Sequence, residues 1–227
     1  AAMSVDNFWG HGDNTQSLSV RLNYSFIPGR LSLNAWGVLA EHYNVTQDVA
    51  DLRNMATTDL EGWYSTGDFY LSTMIGLLKE NKVFPDINFE IVLKTASSKT
   101  PSSARYFDTP GYCFNLFAGK SFSIKNSFIN GIRLAANYGF ICYQTNTLFQ
   151  NDAWLYGTEL ILNSGCFKWS NGIGGYSGWL GNGDCPVVLR SKFTYSLSHL
   201  DLYIQFQKSL RDYPFNRIQT GVSFIIN

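Results

Sequence analysis

Apolar residues recur at every second position along most of this chain, and this alternation constrains the fold more than any other feature. In the last stretch Ile218, Thr220, Val222, Phe224 and Ile226 form one mostly apolar set, and the residues between them are mainly polar. A period of two places successive side chains on opposite faces of a β-strand. The chain therefore predicts strands with one apolar face and one polar face.

The same pattern returns in ten other segments between residues 18 and 206, and a short stretch near "SVDNFWG" adds an opening strand, which brings the predicted total to about twelve. The ten segments are 18–26, 31–35, 69–77, 87–93, 112–118, 132–140, 156–162, 167–173, 189–197 and 200–206. Sequential strands joined by turns form a meander of antiparallel hairpins.

The connections alternate between short turns, such as "PGR" and "NSG", and links that are mostly longer, the longest being 44–66. An even strand number places both chain ends on the rim with the short turns, which is the layout of bacterial outer-membrane barrels. Closing the sheet into a barrel also leaves no unpaired edge. The predicted fold class is all-β: a transmembrane, antiparallel up-and-down β-barrel of about 12 strands.

Composition separates this barrel from a soluble lipocalin-like or jelly-roll alternative. A soluble fold needs an outer face rich in Lys and Glu, but charged residues are only 15% of this chain, against about 25% in ordinary soluble domains. The polar faces are instead rich in Ser, Asn, Gln and Gly, which suits the wall of a lumen. Seventeen basic and seventeen acidic residues cancel, which argues against nucleic acid as a partner.

We expect residues 1–227 to form a single barrel domain with one long extracellular loop at 44–66. Within that loop "TQDVADLRNM" predicts a short helix from Asp48 to Met55 over the barrel mouth, where it would act as a lid or a partner contact. Aromatic residues near strand ends suit the two membrane interfaces. This predicted girdle consists of Tyr24, Phe26, Tyr43, Phe69, Tyr112, Phe122, Phe167, Trp169 and Tyr195.

If the apolar faces contact lipid, the charged residues between them line the lumen. Hairpin register then places Arg190 opposite Gln207, Lys192 opposite Gln205, and Gln207 opposite Arg217. The resulting lumen patch consists of Arg190, Lys192, Gln205, Gln207, Arg217 and Gln219. Guanidinium, ammonium and amide groups suit an anionic or saccharide solute. The alternative is that these groups bond to one another and to water and fill a narrow barrel.

Other charged residues share the inward-facing parity. The basic ones are Arg21, Lys94, Arg133 and Lys168, and the acidic ones are Glu90, Glu159 and Asp201. Base outnumbers acid in the predicted lumen, which favours anions.

The segment "SLRDYPFNRIQTGVSF" near the C-terminus resembles the closing strand of the outer-membrane phospholipase A family. The resemblance implies a twelve-stranded barrel and an activity that rests on a His-x-Ser pair with a nearby Asn on the lipid-facing side. In "GFICYQTNT" a direct overlay places Cys142 and Gln144 at the His and Ser positions. A one-residue shift places Tyr143, Thr145 and Asn146 at the His, Ser and Asn positions. Neither overlay supplies an imidazole, so no catalytic set is predicted.

Histidine and cysteine spacing does not predict a metal site. The histidines are His11, His42 and His199, and none stands at ligand spacing from the others. The four cysteines have no Cys-x-x-Cys spacing, and we expect free packing residues, with one bridged pair as the alternative. No cofactor is predicted.

The sequence therefore favours a bacterial outer-membrane barrel that acts as a narrow, anion-favouring pore or as a membrane scaffold. A lipid or phospholipid acyl hydrolase is the alternative. The size and strand count also resemble twelve-stranded channels for acidic oligosaccharides and sialic acid, whose lumens are lined with Arg. The expected partners are outer-membrane lipid, a small anionic or saccharide solute, and a protein bound through the extracellular loops.

Overall fold

The computed structural model describes residues 1–52, 59–99, 109–125, 128–144, 150–178, 184–212 and 215–225. In this part of the chain one short helix accompanies thirteen strands. Their bounds are β1 Ala2–Gly10, β2 Asp13–Ile27, β3 Leu31–Val45, α1 Gln47–Leu52, β4 Glu61–Ser65, β5 Phe69–Leu78, β6 Asp86–Lys94, β7 Gly111–Ser123, β8 Gly131–Gln144, β9 Gln150–Ser164, β10 Phe167–Ser177, β11 Val187–Ser196, β12 Leu200–Arg211 and β13 Phe215–Phe224.

The strands form a closed antiparallel barrel. Apart from β4 and β5, consecutive strands pair with each other, and β13 pairs with β1 from Ala2↔Ser223 to Gly10↔Phe215, which closes the ring. β4 and β5 both pair with β3, one after the other along its length, so they share one position in the ring. Thirteen strand segments therefore occupy twelve positions, and the prediction of a closed all-β barrel of about 12 strands is confirmed.

The two rims of the barrel differ in their connections. The hairpins β2–β3, β5–β6, β7–β8, β9–β10 and β11–β12 turn at one rim, here called the short-turn rim. At the opposite rim, here called the long-loop rim, β3, β6 and β10 end, and β1 and β2 are joined by the tight turn at 11–12. Gly29 in one turn and Gly12 in another have φ angles of 70° and 65°, which a residue with a side chain adopts at a cost.

The outward-facing side chains form an apolar surface. Phe26, Leu71 and Phe193 are each more than half exposed, at 54%, 52% and 54%. The row of Leu202 and Ile204 on β12 also points outward, and both residues are exposed. So many exposed apolar side chains suit contact with hydrocarbon. No helix in the described ranges is long and apolar enough to span a membrane.

The girdle prediction is wrong at Tyr43. The register between β2 and β3 shifts by one residue where Leu18 pairs with Ala40 and Ser19 pairs with Val38. A bulge of one residue exchanges the two faces of a strand beyond it. Tyr43 therefore faces the interior, where it is only 3% exposed.

The predicted loop 44–66 contains more regular structure than the sequence indicates. β3 continues to Val45, β4 pairs with its upper end, and α1 lies between them. The predicted helix Asp48–Met55 agrees with α1 where the two overlap, and residues 53–58 lie outside the described part of the chain. Val49 of α1 packs with Tyr43 and Val45 in a buried cluster, so α1 packs against the end of β3 at the long-loop rim.

Candidate functional site

The structure brings the lumen patch together across three adjacent strands. The register places Arg190 opposite Gln207, Lys192 opposite Gln205, and Gln207 opposite Arg217, as the hairpin spacing predicts. Arg190 Nε donates a hydrogen bond of 2.9 Å to Gln207 Oε1, and Gln207 is buried. The six side chains thus share the inner face of β11, β12 and β13.

Part of the patch is engaged with β1. Arg217 Nη2 lies 2.6 Å from Asp6 Oδ1, and Gln219 Nε2 donates to Ser4 Oγ at 3.0 Å. Ser19 on β2 donates to the second oxygen of Asp6 at 2.9 Å. These contacts neutralise Arg217, so its charge serves the closure of the barrel more than the binding of a solute.

Two other cations of the interior rest on aromatic rings. Lys192 Nζ lies 3.9 Å from the centre of the Tyr203 ring, and Arg21 Cζ lies 4.8 Å from the centre of the Trp36 ring. Within the described ranges no carboxylate approaches either cation to within 4.0 Å, the distance that defines an ion pair. An aromatic face holds a cation in place without cancelling its charge. Lys192 and Arg21 also interact electrostatically with each other.

Two carboxylates of the interior, Glu90 and Glu159, lie on strands outside the lumen patch. Glu90 lies on β6, the fifth of the twelve strand positions, opposite β12 at the eleventh. Glu159 lies on β9 at the eighth position, opposite β2, which carries Arg21. Ser72 Oγ donates to Glu90 Oε1 at 2.8 Å. Glu159 is therefore across the barrel from Arg21 but only two strand positions from β11, which carries Arg190 and Lys192.

A cavity of about 590 Å³ adjoins Arg190 and Lys192. Its lining is mostly polar or glycine on the side of β9 and β10, where Gly157, Gly172 and Gly174 face the interior. The lining also includes Asn115, Phe117, Asn137, Glu159, Ser170, Tyr176 and Gln205. Because glycine has no side chain, this wall leaves open space beside the charged side chains of the neighbouring strand β11.

Two of the predicted lumen charges are held in ion pairs near the rims. Lys94, near the long-loop rim, is buried, with Nζ 2.6 Å from Asp68 Oδ2 and a 2.7 Å hydrogen bond to the Thr109 carbonyl. Arg133, near the short-turn rim, donates to Asp86 Oδ2 at 2.6 Å and to Glu80 Oε2 at 3.1 Å. Both side chains lie on the inner face, but their charges are already matched.

Four carboxylates hold Arg217, Lys94 and Arg133 in ion pairs, and the prediction from the sequence did not include them: Asp6, Asp68, Glu80 and Asp86. Asp6 and Asp86 carried a usable signal, because Asp6 alternates with Ser4 on the opening strand and Asp86 alternates with Asn88 and Glu90 on β6. Glu80 and Asp68 flank strands, where alternation says nothing about side-chain direction. The glycine wall of the cavity also carried a signal in "SNGIGGYS", which places Gly172 and Gly174 on one face.

The residues overlaid on the phospholipase pair do not converge on a histidine in the described structure. Cys142 is buried in β8, and Thr145 and Asn146 lie outside the described residues. His42 Nε2 lies 3.0 Å from Glu61 Oε1, while His11 and His199 occupy exposed turns on opposite rims.

The cysteines and acidic residues do not assemble a metal site in the described ranges. All four cysteines are free thiols: Cys113, Cys142, Cys166 and Cys185. No group of three or more His, Cys, Asp or Glu side chains there is placed to hold a metal ion.

Comparison with known proteins gives structural matches alone. No family model matches the chain, and no curated protein matches it. An outer-membrane channel from Pseudomonas putida has a TM-score of 0.68 at 10% identity, over 99% of this chain and 94% of that one. The NanC porin has a TM-score of 0.61 at 9% identity over 99% of both chains, and the KdgM porin 0.58 at 10% over 100% of both.

These matches establish the fold, which is that of porin-like outer-membrane β-barrels. The predicted barrel is confirmed by structures that it covers almost end to end. The resemblance of the closing strand to the phospholipase A family stays a prediction.

Proposed function

We propose that this protein is a narrow, anion-favouring channel in the outer membrane of a bacterium. The observation that carries the proposal is the pair of interior cations, Lys192 and Arg21, which rest on aromatic rings without a carboxylate within 4.0 Å in the described ranges. A fixed positive charge beside a cavity raises the local concentration of anions.

The distribution of side chains between the outer and inner faces of the barrel supports a location in the membrane. Exposed Leu, Phe and Ile side chains cover its outer face, while charged and amide groups lie inside, which is the distribution of outer-membrane barrels. The structures that match the fold are named as porins and an outer-membrane channel. A small anionic or saccharide solute fits the cations and amides of the lumen patch. Binding of a protein partner through the long loops stays a prediction.

Planar lipid bilayers test the channel directly. We expect the refolded protein to conduct ions and, in a KCl gradient, to give a reversal potential of the sign set by chloride. Changing both Lys192 and Arg21 to Met should lower the chloride-to-potassium permeability ratio by about threefold, because two fixed charges leave the lumen. The matched control is Arg133→Lys, which alters an inner-face cation but keeps the charge that Glu80 and Asp86 balance, and it should leave the ratio unchanged.

Two results would contradict the proposed channel. One is a correctly folded barrel that carries no current, and the other is a permeability ratio that does not change in the double variant. Separation of inner and outer membranes on a density gradient, with an antibody against the protein, tests the location.

A further inference from the structure

We infer that the 590 Å³ cavity is a subsite for a small zwitterionic solute, one that carries a carboxylate and an ammonium group on the same molecule. The inference rests on the proposed channel and names the class of solute that its interior selects. The inference is supported by charged side chains of opposite sign that line the cavity but do not form an ion pair with each other.

Cation and carboxylate occupy the two ends of one row across the sheet. Arg190 pairs with Gly172, and Gly172 pairs with Glu159, so the glycine stands between the two charged residues. Adjacent strands lie about 4.8 Å apart, which separates the backbones of Arg190 and Glu159 by roughly 9–10 Å. On the same face of these two strands, the next pair is Gly174 and Gly157, which extends the part of the wall that has no side chains. A solute can therefore lie on the glycines with a charge at each end.

Lys192, the second cation that lines the cavity, interacts with Glu159 without forming a contact. Lys192 and Glu159 influence each other electrostatically, but their charged atoms do not form an ion pair, and Glu159 has no other ion pair in the described ranges. The Tyr203 ring holds the Lys192 ammonium in its place. A solute that carries both signs satisfies both groups at once, whereas an anion satisfies only Lys192 and a cation only Glu159. A neutral solute leaves both charges without a counter-charge.

The rest of the lining suits the body of such a solute. Asn115 lines the cavity, and its Oδ1 is a buried acceptor that has no donor within the described structure. Gly139 and Gly157 make room for the Asn115 and Asn137 amides, since a Cβ on either glycine would lie 2.3 Å or 2.5 Å from an amide oxygen. Phe117 and Tyr176 add apolar surface. The cavity volume is in the range of small-molecule sites, about 300–1,000 Å³.

Swelling of liposomes that contain the refolded barrel tests the inference with two isomers. Alanine is a zwitterion, and lactamide has the same atoms without formal charges, so size cannot explain a difference between them. We expect wild-type barrels to admit alanine about fivefold faster than lactamide. Glu159→Gln and Lys192→Met should each bring the ratio close to one. The matched control is Glu90→Gln, a lumen carboxylate outside the cavity, and it should keep the wild-type ratio.

The outcomes separate the solute class from the channel itself. Equal rates for alanine and lactamide in wild-type barrels that conduct chloride overturn the zwitterion subsite and leave the channel intact. A Glu159→Gln barrel that keeps the wild-type ratio overturns the subsite too. No swelling with either isomer and no current in bilayers overturn the channel. A heat-dependent mobility shift in detergent gels verifies that each variant is folded, and the wild-type ratio decides the matter even if a variant does not fold.

Discussion

Arg217 on the last strand and Asp6 on the first strand form an ion pair across the seam that closes the barrel. The guanidinium donates through Nε at 2.7 Å, and its Nη2 lies 2.6 Å from the same carboxylate oxygen, Oδ1. The Asp6 side chain is only 2% exposed, whereas that of Arg217 is 22% exposed. Ser19 on β2 completes the carboxylate's hydrogen bonding, so three consecutive strands of the ring meet at Asp6.

Removal of this carboxylate should weaken the closure of the barrel. We expect Asp6→Asn to lower the free energy of unfolding by about 1–3 kcal/mol, less than for a fully buried pair because water reaches the arginine. Urea unfolding in detergent micelles, followed by tryptophan fluorescence, measures the change. Ser4→Ala is the matched control on the same strand, since it removes one neutral contact to Gln219 and should cost no more than about 1 kcal/mol. Equal stability of Asp6→Asn and wild type would contradict the seam's role.

The lumen patch was predictable from the sequence because two simple rules fix it. A period of two assigns each residue to a face, and a turn of known position fixes the register of the strands that it joins. Together they place Arg190 opposite Gln207 and Lys192 opposite Gln205, which is the observed pairing. Neither rule needs knowledge of the rest of the molecule.

Features that depend on closure or on a local irregularity were not predictable. Asp6 meets Arg217 only after the first and last strands pair, and no local pattern reports that contact. The bulge beside Leu39 interrupts the period, which is why Tyr43 faces inward instead of joining the girdle. The cavity also depends on the curvature that brings Glu159 toward Lys192, which alternation does not describe.

Glu80 in the turn between β5 and β6 should make the short-turn rim sensitive to acid. The backbone N–H of Ser121 donates to Glu80 Oε1 at 2.7 Å, and this hydrogen bond is the largest cause that lowers the pKa of Glu80. Arg133 and Lys120 lower that pKa further. A carboxyl whose pKa is lower in the folded state stabilises the fold above its unfolded pKa, and this contribution is lost as the pH falls through the folded value.

We therefore expect the free energy of unfolding to fall with acid, beginning near the ordinary glutamate pKa of 4.5, and Glu80→Gln to make this fall shallower. Urea titrations at several pH values between about pH 6 and pH 3 measure the slope. Asp48→Asn is the matched control, because this exposed carboxylate lies on α1 at the other rim. An unchanged slope in Glu80→Gln would show that the turn does not depend on the ionised carboxylate.

Gly12 should be needed both for the tight turn at 11–12 and for the packing of α1 against that turn. A Cβ at this position would lie 2.2 Å from Thr46 Oγ1 and 3.0 Å from Val49 Cγ2. The Gly12 carbonyl also accepts a hydrogen bond from the Thr46 amide at 2.8 Å. We expect Gly12→Ala to displace the segment 46–52 and to raise current noise in single-channel records.

Gly29→Ala is a matched control for Gly12→Ala. Gly29 has a similar positive φ of 70°, but no atom lies within 4 Å of a Cβ built there. Both variants should lose about 1 kcal/mol of stability to backbone strain, and only Gly12→Ala should also change the current and the rate of proteolysis near α1. Identical current records for the two variants would show that the mouth does not depend on this contact.

Gly172 should set the width of the path that a solute takes past the lumen patch. A Cβ there has its nearest atom at 3.3 Å, the Thr158 carbonyl oxygen, so a side chain fits and extends into the cavity. In the series Ala, Val and Leu at this position, we expect single-channel conductance to fall with side-chain volume and to reach about half the wild-type value with Leu. Ile173→Leu, on the outward face of the same strand, should leave the conductance unchanged. A conductance that stays constant through the series would mean that ions cross the barrel by a route outside this cavity.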